Sequence, residues 1–332
     1  MKKLLALFIV LVMAGGLFAG CGGSTNETSK TAYPTKQEQS TLNQPLKIGV
    51  QPIEDNLPLF VAEAEKSFQK AGLNVELIPF PSAAERDAAL QAGKIDGEAA
   101  DIVAACLLKK GGTDVRIATI TLGATPQEGR FVLLGSPNSN FKSAKDLAGV
   151  KVGISENTII EYVTDKLLEQ NGVKPDQVQK LSIPKMPMRL QMLVSNQIPA
   201  ALLPDPLAAL AEKQGAKVIL DDTKSETNIS QVVLLFRKDS IDTKRDAIKK
   251  LIEVYGAVGK DFTYNPDKYR PLLIEKAKIP APIKDTYKAP TFSAPLPPTE
   301  MEVINVVDWM VQKKLLNTPY KYDELVDTSL RP

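Results

Sequence analysis

Beyond residue 45 the chain alternates short apolar runs with segments whose apolar residues recur every three or four positions. Residues 47–50 (Lys47, Ile48, Gly49, Val50) read as a strand. Asn56 and Pro58 open a helix with apolar residues at 57, 60, 61, 64, 68 and 71, and Gly72 closes it. A strand over 74–79, a helix from about 82 to 91, a short strand near 96, a helix carrying Cys106 and a strand over 115–122 complete a first block. A second block begins with a strand at 131–134, a strand at 150–154 and a helix over 158–170, stopped by Gly172. Strands at 181–184, 200–203 and 217–220 then alternate with two more helices, and a strand over 231–237 returns the chain to the first block. This alternation predicts parallel βαβ units. No repeat of fixed short period is present, although the two blocks are compatible with one shared architecture.

The last hundred residues read as mainly helical, with a first helix from about 243 whose apolar stripe falls at 248, 251, 252, 255 and 262. Six prolines between Pro280 and Pro298 predict an extended, irregular stretch. Thr299 and Glu302 have capping-box spacing and open a helix bearing Val303, Val306, Val307 and Met310.

Upstream, Lys2 and Lys3 precede an uncharged apolar run from 4 to 13, and small residues follow, as in a secretory signal peptide. Leu17-Phe18-Ala19-Gly20-Cys21 resembles a bacterial lipoprotein lipobox, which implies cleavage before Cys21 and lipid (palmitate among it) on that cysteine. Phe18 departs from the leucine usual three places before the cysteine. The competing reading is an uncleaved anchor, since the uncharged run from 4 to 20 reaches the short end of a membrane span. Residues 22–44 are polar and read as a flexible linker.

Composition narrows the chemistry. Removing Lys2 and Lys3 leaves 39 basic residues from 41, against 39 acidic ones, so the processed chain is near neutral and offers no broad nucleic-acid surface. The absence of histidine removes the commonest general base and metal ligand. Cys106 lies in an apolar stretch and reads as a buried small hydrophobe in preference to a reactive thiol. No cofactor and no metal are expected. The methionines at 186, 188 and 192 read as flexible packing.

Several segments together resemble the extracytoplasmic solute-binding proteins of the nitrate/sulfonate/taurine ABC-transporter group, which share their fold with thiamine-precursor (hydroxymethylpyrimidine) binders. The segments are Ile48-Gly49-Val50-Gln51-Pro52 through Ala62, Ala92-Gly93-Lys94-Ile95-Asp96-Gly97, Lys145-Asp146-Leu147-Ala148-Gly149 through Gly153, Leu203-Pro204-Asp205-Pro206, and Val307-Asp308-Trp309-Met310. The resemblance spans 46–327 and rests on the order and spacing of these pieces. It implies a two-lobed α/β clamp of mixed, mainly parallel sheets, with lobe one over 45–125 plus 235–332 and lobe two over 126–234. The chain would cross between them near 121–127 and 225–232. It further implies a monomer that binds a small solute in the cleft and presents it to an ABC permease with its ATPase, tethered to the extracytoplasmic face of the membrane by lipid.

Ligands of open α/β sheets bind beyond the carboxyl ends of the strands. In the first lobe this selects Gln51 and Asn56 after the first strand, Phe80 and Ser82 after the second, and Glu98 after the third. Asn56 and Ser82 are equally explained as helix caps, and Arg86 reads as a surface charge more readily than as a ligand. In the second lobe the corresponding loop is Ser155-Glu156-Asn157-Thr158. Its N–H and hydroxyl groups would hold an oxyanion without a cationic side chain, unless they merely cap the helix. Asp205 either approaches the cleft or caps the next helix. Glu98, Asp101 and Glu156 would repel nitrate or a sulfonate and suit a ligand with N–H donors, such as an aminopyrimidine or amine, while taurine carries both charges. The chain reads as a binding protein and not an enzyme; a sensory or adhesive surface protein is the alternative.

Overall fold

A computed structural model describes residues 44–331. Its strands are β1 (Leu46–Val50), β2 (Val75–Pro79), β3 (Gly97–Asp101), β4 (Val115–Leu122), β5 (Phe131–Gly135), β6 (Lys151–Ile154), β7 (Gln179–Ser182), β8 (Ala200–Pro204), β9 (Lys217–Asp221) and β10 (Val232–Arg237). They form two five-stranded sheets, ordered β2-β1-β3-β10-β4 and β7-β6-β8-β5-β9. In each, β1 or β6 pairs in parallel with both neighbours. In each, a single strand, β10 or β5, lies antiparallel to both of its neighbours. That reversed strand is the one reached from the other sheet, so one topology occurs twice. The chain passes between the sheets through 123–130 and again through 222–231.

The helices are α1 (Leu57–Ala64), α2 (Ser67–Lys70), α3 (Ala83–Gln91), α4 (Ile102–Lys110), α5 (Ile159–Gln170), α6 (Met186–Val194), α7 (Leu207–Lys213), α8 (Lys238–Tyr264), α9 (Pro266–Lys276), α10 (Glu300–Gln312) and α11 (Tyr322–Leu325). β1 and β10 are almost wholly buried, as their near-continuous apolar runs require of strands covered on both faces. On one face lie α1 and α8, the latter burying Ile248, Leu251, Ile252, Tyr255 and Phe262, the stripe expected from the sequence. On the other lie α4 and α10, burying Cys106, Val303, Val306, Val307 and Met310. Burial pushes the Cys106 thiol up to about 12, as for an inert core cysteine.

Two local expectations are corrected. The first helix is broken, because Lys66 adopts a left-handed conformation (φ 56°) and divides α1 from α2. The strand expected at 181–184 ends at Ser182, since its partner β6 ends at Ile154 and leaves Ile183 only one further bond, to the Ile154 carbonyl. The helix expected from about 243 starts after a break at Lys244 (φ −129°, ψ 25°), whose ammonium reaches Asp96 at 2.8 Å, and a short helical segment from Lys238 precedes the break. Between Pro280 and Pro298 one short 3-10 turn, Ala281–Ile283, interrupts extended chain. Thr299 and Glu302 form the expected reciprocal cap.

The two connectors touch. A Cβ on Gly123 (φ +79°) would stand 2.7 Å from the Ser230 carbonyl oxygen, so this close approach requires glycine. The Asn228 side-chain amide donates to the Gly123 carbonyl.

Candidate functional site

At the carboxyl end of the first sheet, β1 runs into Gln51 and then a 3-10 turn over Glu54–Asn56. Asn56 is buried and does not cap α1; its Nδ2 donates instead to the Gln51 carbonyl (3.1 Å), and its Oδ1 has no partner. Ser82 does cap α3, accepting from the Glu85 amide at 3.3 Å. Phe80 is half-buried, its ring edge covering Gly49.

Arg86 is not a surface charge. It is buried because Gly49 leaves room for its stem. Its Nη1 donates to the Ala99 carbonyl (2.6 Å) and the Gln51 side chain (3.3 Å), and its Nη2 pairs with Asp87 (2.8 Å). Glu98 also departs from expectation: it sits within β3, fully buried, with Oε2 3.4 Å from Arg86 Nε. Burial pushes the Glu98 carboxyl up to about 8, against the pull of Arg86 and with repulsion from Asp87 and Asp101. Asp101 caps α4 through the Ala104 amide (2.9 Å), and burial raises its carboxyl to about 6.

Glu54, which the sequence reading passed over, is buried and accepts a hydrogen bond from the Tyr287 hydroxyl. Burial raises its pKa well above the ordinary range, and the charge of Asp205 adds to the rise. Asp205 belongs to the loop after β8. Asp205 accepts from the Ala209 amide (3.1 Å) and lies 3.7 Å from Arg130, which also pairs with Glu212 (2.7 Å) and Asp221 (2.8 Å). Burial pushes the Asp205 carboxyl up to about 6, with Arg130 opposing.

In the second sheet's loop, Ser155 and Thr158 are half-buried and Asn157 is exposed. Some of its donors are engaged: the Asn157 amide binds Glu161 (2.7 Å), the Thr158 hydroxyl donates to the Ser155 carbonyl (2.7 Å), and that hydroxyl oxygen accepts from the Ile160 amide (3.2 Å).

Between the sheets a narrow recess is lined by Asp101, Ile102, Val103 and Val306 on one side, Ile159 and Tyr162 on the other, and Ile229 and Gln231 of the second connector. Behind it α10 docks on α5. Trp309 stacks edge-on against Tyr162 (5.3 Å) and donates to Asp165 (3.0 Å), while Lys180 pairs with Asp165 (2.6 Å) and Glu161 (2.8 Å). Among the described residues no helix is long and apolar enough to cross a membrane.

Two mixed sheets of one topology, joined by two adjacent connectors, with buried charge at facing carboxyl ends, define a protein of the periplasmic-binding-protein fold. Residues 39–264 match the NMT1-like family, and the chain belongs to it. A protein of Brachyspira hyodysenteriae named as an ABC transporter periplasmic binding protein is 23% identical over 272 residues, covering 77% of this chain and 73% of its own. The periplasmic aliphatic sulphonate binding protein SsuA of Escherichia coli superposes with a TM-score of 0.73 at 18% identity, over 86% of this chain and 98% of its own. The periplasmic nitrate-binding protein NrtA of Synechocystis does so with a TM-score of 0.62 at 16% identity, over 78% and 74%.

Proposed function

We propose that this protein is the substrate-binding component of an ABC importer, and that it captures a small polar solute between the carboxyl ends of its two sheets. The observation that carries the reading is the doubled topology: two sheets of one strand order, joined by two connectors that touch at Gly123 and Ser230, with the buried Glu54 just beyond β1 and Asp205 just beyond β8. Buried ionisable side chains gathered at one place are expensive unless something uses them. The two sheets then act as halves of a clamp hinged at 123–130 and 222–231, and closure presents a surface to the permease. Gln51, Asn56, Phe80 and Ser82 would face the solute from the first half, with Glu98 buried behind them against Arg86, and Ser155, Asn157, Thr158 and Asp205 from the second. The solute classes are sulfonates, taurine, nitrate and aminopyrimidines.

The chain works without catalysis in this reading, since it has no histidine and its Cys106 thiol is buried. It operates as a monomer outside the cytoplasmic membrane, held by lipid on Cys21, a residue outside those the structure describes. A Cys21→Ser chain should lose incorporation of labelled fatty acid; persistent labelling would reject the anchor.

The direct test is a thermal-shift panel of nitrate, taurine, alkanesulfonates, aminopyrimidines and amines on protein unfolded and refolded to strip bound solute. A solute at about 100 times its Kd adds roughly 2.7 kcal/mol to stability. One clear shift is expected; a flat response across the panel overturns the solute classes named here.

A further inference from the structure

The same side-chain arrangement is built into both sheets and differs between them at one position. In the first sheet, Gly49 lies against Ile95 and the stem of Arg86, the fourth residue of α3. In the second, Gly153 lies against Ile198 and the stem of Arg189, the fourth residue of α6. Gly49 pairs with Glu98 across the sheet, which gives Arg86 its counter-ion. Gly153 pairs with Ala201, which offers none.

Arg189 is consequently a fully buried guanidinium without a carboxylate beside it. Its Nη1 donates to the Ile183 carbonyl at 2.8 Å, and Nε and Nη2 have no partner. Burial alone acts on its pKa, lowering it to about 10, so the group stays charged at neutral pH. An uncompensated buried charge is strongly unfavourable. The unspent Nε–Nη2 edge is the side of a guanidinium that takes two oxygens of a planar or tripodal anion side by side. Its position is also apt. Ile183 follows β7 and is bonded to the Ile154 carbonyl at the end of β6, so the guanidinium is held under the carboxyl end of the second sheet. In the first sheet the matching Arg86 reaches Gln51, the first residue beyond β1; the first residue beyond β6 is Ser155. In the loop above, the Asn157 amide and the Thr158 hydroxyl are already engaged, whereas Nε and Nη2 of Arg189 are not.

We infer that Arg189 binds the anionic group of the captured solute, a carboxylate, sulfonate or similar oxyanion, through Nε and Nη2. The inference rests on solute capture between the sheets and assigns one end of that solute.

Stripped full-length protein would be titrated by calorimetry and thermal shift with methanesulfonate, acetate and taurine as oxyanion probes, and with putrescine and an aminopyrimidine as probes lacking one. At least one oxyanion probe should bind. Arg189→Met should weaken it at least tenfold, yet melt no lower than the parent without probe, because it removes an unpaired charge. Arg189→Lys should retain part of the affinity. Ala201→Glu, which copies the Glu98 arrangement, should abolish oxyanion binding by pairing the guanidinium. Unchanged oxyanion affinity in Arg189→Met, or a fall in its melting temperature without probe and no loss of affinity, overturns the assignment and makes Arg189 a packing residue. Binding of putrescine or the aminopyrimidine alone, indifferent to Arg189→Met, also ends it while leaving solute capture intact. If no probe of either class binds the parent protein, solute capture fails and this assignment goes with it.

Discussion

Asp222, on the second connector, accepts the Phe131 amide at 2.7 Å and is otherwise enclosed. Burial pushes its carboxyl up to about 7. Between its unfolded value near 4 and that folded value, the native state holds a proton that the unfolded chain has released. Stability contributed by that proton is therefore complete below about pH 4 and is lost as pH rises through about 7, at up to roughly 1.4 kcal/mol per pH unit. Asp222→Asn should flatten the fall in unfolding free energy between pH 5 and 7, measured by urea titration. An identical slope in parent and variant would show that the carboxyl is already ionised there. Residues of this sort were hard to read in the sequence. Arg86 and Glu54 sit among polar neighbours, whereas Arg189 lies in an apolar helix, Met186–Val194, where a charge is expected to point outward; nothing local announces the burial of these charges. The signal that was present is the glycine inside each short strand, Gly49 and Gly153, which marks a close approach. Paired with an arginine on the helix packed against it, that glycine would have identified both buried guanidiniums.

At the scale of elements, strands and helix ends were legible because they follow from apolar runs, caps and stop glycines that act over a few residues. The β4 strand, Val115–Leu122, and the Thr299–Glu302 cap lie where their patterns put them. The left-handed break at Lys66 and the helical segment ahead of Lys244 were not legible, and the second accompanies a contact with Asp96, distant in sequence. The contact of α10 with α5 is of the same kind. Trp309→Phe keeps the ring against Tyr162 but removes the donor to Asp165, a carboxylate that Lys180 still holds. The expected loss is about 1 kcal/mol, near the net worth of one hydrogen bond, read as a lower denaturation midpoint. A loss above about 3 kcal/mol would mean that Asp165 depends on Trp309 alone.

At the scale of the molecule, the repeated topology explains how one chain builds two matching walls. Each sheet borrows its reversed strand from the segment that arrives from the other sheet, so the connectors must run side by side, and the contact of Gly123 with Ser230 is where they do. The family resemblance carried in the order of the motifs, from Ile48-Gly49-Val50-Gln51 to Val307-Asp308-Trp309, fixed this architecture in advance. The site was read only in outline, since strand ends can be placed from sequence whereas the charges buried beneath them cannot. The central claim is that solute binds between the carboxyl ends of the two sheets. Hydrogen-exchange mass spectrometry of the full-length protein, with and without the panel member that raises its melting temperature most, tests this directly. Added protection should concentrate in the segments 51–56, 80–86, 155–160 and 183–189 together. Protection confined to one sheet, or lying at the opposite strand ends near 93 and 112, would contradict the account.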